Sequence, residues 1–247
     1  MFLRLSNGIF LYNNRAKELY IQKGVSPKKL IVIYNSLNFD ETEYNRKQYN
    51  PLHKHSLLSI FQNAKLPVAL YIGRVNKDKK IDTLLQSLKV LKDRNINLNC
   101  FIVGDGNDKA NLESMVQQLN LTGQVHFTGS QYLEKDISQY MMASDVCVCP
   151  GPIGLTGIHA LSYGVPAISN DNFNRQGPEH EAIIPGITGN FFCEGNVEDL
   201  AEKMHQCILA RISDKEKNIQ NCLDVIHNYY NPYYQRDIIN QTILEKS

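Results

Sequence analysis

The sequence has no apolar run long enough to span a membrane, no CxxC pair, no internal repeat and no low-complexity tract. The first absence argues against a transmembrane helix, and the 1–5 segment, MFLRL, lacks a signal-peptide layout, so the expectation is a cytoplasmic protein. Charge excess is missing too: the formal net charge of +1 argues against a nucleic-acid surface, which needs a marked basic surplus. The six cysteines, at 100, 147, 149, 193, 207 and 222, sit mostly in apolar strand-like runs, so they read as reduced core residues and not as a disulfide frame. His126 lies in a strand-like run, and His53 and His55 have no carboxylates at metal-ligand spacing; no metal site is expected.

What the chain does contain is enough apolar material for a sizeable core: 247 residues, 43% of them hydrophobic. Residues 8–12 (GIFLY) read as a strand, and Asn13 or Asn14 caps a helix that Gly24 stops near residue 23. A second strand covers 30–34. The polar, tyrosine-rich segment 37–66, aperiodic apart from an apolar patch at 57–61, reads as a linker between domains.

From residue 67 the pattern is regular. Strands at 68–73, 98–104, 124–129, 145–149 and 165–169 alternate with helices that begin near Ile81 and cover 108–119, 133–143 and 155–163. Each crossover helix must pack over the sheet, so the class is α/β with a doubly wound parallel sheet, Rossmann-like. A loop at 170–188 and a short apolar segment at 190–193 lead into helices at 197–210, 214–229 and 232–245. The tyrosines at 229, 230, 233 and 234 pack the last helix back onto the body.

Ligands of open parallel sheets bind beyond the carboxyl ends of the strands, and here those ends carry glycine at 73, 104, 106, 129, 151 and 154. The stretch 151–166, GPIGLTGIHALSYGVP, follows a buried-looking strand and opens a short apolar helix. Free backbone N–H groups at such a turn suit an anion, with phosphate first among candidates; many similar turns bind nothing. A dinucleotide fingerprint is rejected, because GDGNDK at 104–109 lacks the third glycine and follows the second strand of the domain.

In order, YIGRVNKDKKIDTLL (71–85), FIVGDG (101–106), VHFTG (125–129), DVCVCPGPIGLTGIHALSYGVPAIS (145–169), and PGITGNFF with the VEDLAEKM helix resemble the C-terminal domain of the family-four retaining glycosyltransferases of the GT-B type. Upstream, residues 10–38 resemble the end of the N-terminal domain of that family and its crossing into the second. The resemblance implies four parts: the end of an acceptor domain (1–36), a linker (37–66), a nucleotide-sugar-binding Rossmann-like domain (67–210) and C-terminal helices (211–247). It also implies sugar transfer from a nucleotide donor to a glycan or lipid-linked acceptor with retention, as in bacterial surface-polysaccharide synthesis. No cofactor is implied beyond the donor as substrate, and at most peripheral contact with the inner membrane face.

By position, the resemblance gives Arg74 and Lys79 the donor diphosphate. Gly73, Gly104 and Gly106 allow close approach, Phe127 and Gly129 border the base, and Gly154, Leu155 and Thr156 offer a helix start and a hydroxyl. The residue-level alternative for Arg74 and Lys79 is a pair of solvated cations. Where the family often has Glu-x7-Glu, this chain has Gly151 and His159, so donor recognition must differ or activity is lost. His159 reads either as a ribose contact or as a packed helix histidine. Glu179 and Glu181, in QGPEHE, either replace the missing carboxylate or start a short helix.

A complete enzyme of this kind needs about 350 residues. A partner chain supplying the N-terminal half, or a subunit that binds nucleotide sugar without activity, therefore stand as alternatives. A first strand left without neighbours is a further expectation. A nucleotide-sugar epimerase is disfavoured because its catalytic carboxylates and histidines cannot be placed.

Overall fold

A computed structural model describes residues 6–244. Its main body is a six-stranded sheet in the order β5-β4-β3-β6-β7-β8, every pairing parallel. The strands are β3 (Val68–Ile72), β4 (Asn99–Val103), β5 (Val125–Gly129), β6 (Val146–Cys149), β7 (Ala167–Asn170) and β8 (Gly189–Phe192). Leu70 lies between Phe101 on β4 and Cys147 on β6, which fixes the register at the sheet's centre.

Continuous apolar runs form these strands because both faces are covered. Along β3, Ala69 and Tyr71 point into one core while Val68 and Leu70 point into the other; β4 and β6 alternate likewise. The first core meets α4 (Ile81–Asp93), α5 (Lys109–Gln118) and α8 (Val197–Ser213). Leu84, Leu85 and Leu91 of α4 are fully buried there, each stabilising by about 1.5–3 kcal/mol. The second core meets α6 (Glu134–Ala143) and α7 (Thr156–Ser162), and its centre is Phe101, packed against Phe61 and Tyr140.

The segment read as a linker holds two helices, α2 (Phe39–Lys47) and α3 (Pro51–Leu58), which pack on α6. Thr42 is the buried residue of α2 and Leu58 that of α3, so neither helix has an apolar stripe to show in its sequence. Asn38 and Asn50 cap them by accepting from Glu41 N and Leu52 N.

The amino-terminal unit is β1 (Ile9–Leu11), α1 (Asn14–Gln22) and β2 (Leu30–Val32), with Asn13 capping α1. Here the expectation of an unpaired first strand is corrected: β1 pairs in parallel with β2 along its whole length, because the α1 crossover returns the chain beside it. The helices α9 (Lys215–Asn228) and α10 (Pro232–Leu244) close the chain, residue 245 of the expected last helix lying outside the described residues. Tyr34 is ringed by Tyr229, Tyr230 and Tyr234, and Gln235 donates to the Tyr34 carbonyl, so the tyrosine cluster ties α10 to the amino-terminal unit.

Candidate functional site

The chain leaves β3 toward one edge of the sheet and β6 toward the other, so the carboxyl ends of these neighbours diverge. The gap between diverging connections is where an open parallel sheet forms its ligand crevice. Its first wall is the turn after β3. Tyr71 donates its hydroxyl to the Arg74 carbonyl at 2.7 Å, and Gly73 N and Val75 N donate to Val103 O and Asp105 O, each at 2.9 Å. The turn after β4 is pressed directly against it. Gly104 has φ +143°, and a Cβ there would fall 1.8 Å from the Gly73 carbonyl oxygen, so only glycine fits. Gly106 is equally confined, by the Val75 backbone. These two glycines seat turn against turn; Gly104 lines the crevice and Gly106 does not.

The second wall is the turn after β6, fixed by side chains from the far end of β7 and its loop. Ser169 donates to the Cys149 and Gly151 carbonyls, Asn170 to the Pro150 carbonyl, and Gln176 accepts from Ile153 N. Gly151 N donates to the Lys79 carbonyl at 3.0 Å, and a Cβ on Gly151 would lie 2.7 Å from the Asp78 carbonyl oxygen. The family's first Glu could not stand here without moving the 77–79 turn. Lys79 extends its ammonium toward the Pro152 carbonyl at 3.5 Å.

Between the walls are two adjoining lobes. The larger, about 520 Å³, is lined by Arg74, Lys79, Gly151 to Thr156 and Gly177. The smaller, about 380 Å³, is lined by Gly104, Asp105, Ser130 to Tyr132, Ile137 and His159. Ile72, Gly73, Arg74, Leu155 and Thr156 border both, making a shared waist. Arg74 is exposed and Lys79 half-buried, and neither meets a carboxylate among the described residues.

His159 is held by a group that sequence reading did not single out. Its Nε2 lies 2.8 Å from Glu134 Oε1, and Tyr163 donates its hydroxyl to the same oxygen at 2.6 Å. Burial raises the Glu134 pKa, but the hydrogen bonds from His159 and Tyr163 and the His159 charge outweigh it, leaving the carboxyl below its ordinary value. Burial, then the Glu134 carboxylate, push the Tyr163 hydroxyl well above the usual tyrosine range.

The structure brings together Gly73, Arg74, Lys79, Gly104, Gly154, Leu155, Thr156 and His159. It does not bring Phe127 there: that ring packs against the first core, and Gly129 accepts from Gly104 N outside the lining. The wall at that place is Ser130 to Tyr132, one step further along the loop. Glu179 is buried and accepts from Asn35, standing behind Gly177. Glu181 faces α1, whose first N–H groups, on Asn14 and Arg15, donate to its carboxylate at 2.9 and 2.7 Å. Among the described residues no group of three His, Cys, Asp or Glu side chains is placed to hold a metal ion.

Comparison with known proteins agrees with this architecture. The chain is 23% identical over 248 residues to lipopolysaccharide 1,6-galactosyltransferase of Salmonella typhimurium, covering 96% of this chain and 60% of the relative. It is 26% identical to the lipopolysaccharide core biosynthesis glycosyltransferase LpsE of Rhizobium meliloti, over 59% of this chain and 40% of that protein. Among solved structures, Anabaena Alr3699/HepE in complex with UDP superposes with a TM-score of 0.77 at 20% identity, over 98% of this chain and 65% of that one. The lipopolysaccharide outer core galactosyltransferase WaaB, in its apo form, gives 0.73 at 20% identity, over 98% and 63%. The chain thus spans about three fifths of the length of the Salmonella relative. The profile of Glycosyl transferases group 1 matches residues 59–222, well over half of the chain, and the chain belongs to that family.

Proposed function

We propose that this chain is the donor-binding part of a retaining glycosyltransferase and holds a nucleotide sugar across the two lobes. The observation that carries the reading is the waist: Arg74 between the lobes and Lys79 beside it, cations without a carboxylate partner among the described residues, at the mouth of a glycine turn. A diphosphate is the anion whose length and charge suit two such groups. The nucleoside then occupies the smaller lobe and the sugar the larger. As the glycosidic bond to the diphosphate breaks, charge grows on the leaving phosphate, and preorganised cations there stabilise the transition state more than the ground state. UDP in the Anabaena neighbour and the lipopolysaccharide relatives support this donor class and a glycan or lipid-linked acceptor. Among the described residues no helix is long and apolar enough to cross a membrane, compatible with work at the cytoplasmic membrane face.

A second reading, binding without transfer, is favoured by one feature: among the described residues no carboxylate lines the larger lobe. Release of sugar from a radiolabelled donor, with and without acceptor glycan, separates the two.

The test of the site is calorimetry and thermal shift with UDP, GDP, ADP and CMP. A ligand at a hundredfold its Kd raises stability by about 2.7 kcal/mol. Arg74→Ala and Lys79→Ala should each weaken binding of the nucleoside diphosphate by about ten- to a hundredfold with unchanged Tm, the loss of a charge-assisted contact. An unchanged Kd in both variants removes the assignment.

A further inference from the structure

At the amino ends of the strands, the opposite end of the sheet from the crevice, a cavity of about 280 Å³ opens between α3, the 64–67 loop and the last turns of α8. Leu58, Leu66, Val68 and Ile208 give it apolar walls, and its charged lining is Lys54, Lys65 and Arg211 against one carboxylate, Asp145. Asp145 directly precedes β6 and accepts from Val68 N at 2.9 Å, which joins the starts of β3 and β6. Arg211 is only 5% exposed, yet one of its three nitrogens carries all its hydrogen bonds: Nη1 donates to the Gly164 carbonyl at 2.6 Å and to Asn218 Oδ1 at 3.1 Å. Nε is buried and donates to nothing, since Asp145 Oδ1 stands 4.0 Å away, and Nη2 has no partner among the described residues either. Nε and Nη2 are one edge of the planar guanidinium, the fork that takes two oxygens of one anion. Lys54 likewise makes no hydrogen bond or ion pair among the described residues. Burial lowers its pKa, and the charges of Lys215 and Arg211 add repulsion that Asp145 only partly offsets. Tying Gly164 to α8 accounts for Nη1 alone; the free edge and the unpaired amine call for an anion.

We infer that this cavity is a binding site for a phosphate monoester, its phosphate held by the Nε–Nη2 edge of Arg211 and the Lys54 ammonium and its organic part by the apolar walls. Three cations against one carboxylate leave a surplus of two positive charges, which a phosphate monoester at about −1.5 to −2 matches and a single carboxylate does not. Apolar walls around a few charged groups favour an ester over the bare ion. The site shares no lining residue with either lobe of the crevice, so it stands whether or not the donor reading does.

The test uses the full chain carrying R74A/K79A, in which the crevice has lost its cations. Calorimetry with inorganic phosphate and n-butyl phosphate should show one site, with the butyl ester bound at least tenfold more tightly because the walls cover its chain. Lys54→Gln removes no hydrogen bond of the fold and should weaken the ester by about tenfold or more, and Arg211→Met should abolish its binding. Should Arg211→Met fail to fold, Asp145→Asn supplies the second arm: it keeps an acceptor for Val68 N, removes the one repelling charge, and should tighten binding severalfold. Acetylation of Lys54, followed by mass spectrometry, should slow with butyl phosphate present while that of Lys47 does not. Vesicles of phosphatidic acid that displace the butyl ester would name a lipid headgroup as the source of the phosphate; vesicles that leave it bound would name a soluble ester. No binding of either phosphate, an affinity unchanged in Lys54→Gln, or no protection of Lys54 overturns the site.

Discussion

The six-stranded body and the amino-terminal β1–α1–β2 unit are built from the same motif and held by different forces. In the body, β3, β4 and β6 are buried on both faces and α4 contributes seven buried residues. In the amino-terminal unit α1 has no buried residue, and Phe10, Tyr12, Leu19 and Ile21 remain exposed. That unit is ordered instead by polar and aromatic ties: Glu181 on the start of α1, Arg15 to Asn174, Asn35 to Glu179, and the ring cluster around Tyr34. The body relies on area removed from water; the amino-terminal unit, where Leu11, Leu30 and Ile33 are the buried apolar residues, relies more on directional contacts to its neighbour. Local opening should therefore be far easier at the amino-terminal end.

The largest break in this comparison comes from the core. Phe101→Ala removes a fully buried ring and should destabilise the whole body by about 3–5 kcal/mol, read as a fall in the global denaturant midpoint. Next, Glu181→Ala should cost about 0.5–2 kcal/mol, the range for a lost helix cap, and the loss should stay local. Hydrogen exchange would then quicken over residues 9–22 while β3 and β4 remain protected; uniform quickening would show that the two regions unfold together.

Acid sharpens the boundary between them at α2. Burial works to raise the Glu43 pKa, yet hydrogen bonds from Arg46 and His227 and the Arg46 charge bring it down from 4.5 to about 2. A depressed carboxyl stabilises the fold fully above its unfolded value and loses that contribution as pH falls through its folded one. Docking of α2 onto α9, where Glu43 meets His227 at 3.1 Å, should therefore weaken between pH 4.5 and about 2, and Glu43→Gln should flatten that slope in a pH series of unfolding curves. The smallest effect is expected at the exposed Lys89–Asp93 pair of α4, where Lys89→Ala should change stability by about 0.3–0.5 kcal/mol.

The sheet and the crevice walls were legible because their signals are local. Strand-like runs ending in glycine, at Gly73, Gly104 and Gly151, announce both parallel strands and the turns above them. The resemblance puts Arg74, Lys79 and His159 at the crevice, and all three line it. Glu134 was not legible, because it meets His159 only after α6 and α7 pack side by side, and nothing local marks a glutamate at a helix start as a ring partner. The same holds for Glu181, whose partner backbone lies 167 residues away. Helices α2 and α3 stayed hidden for want of an apolar stripe, and Phe127, an inward residue of β5, was confused with the loop that follows it.

The turn from Gly177 to Ala182 has a mechanical reading. Gly177 borders the larger lobe, whereas Glu181, four residues on, grips the amino end of α1. Between them the buried His180 ring stacks on Phe173 at 5.0 Å, and its Nδ1 lies 2.8 Å from the Gly177 carbonyl oxygen, an anchored fulcrum. The turn is a short lever with the crevice at one arm and the amino-terminal unit at the other. The five residues from Gly177 to Glu181 thus join the lining of the larger lobe to the first turn of α1.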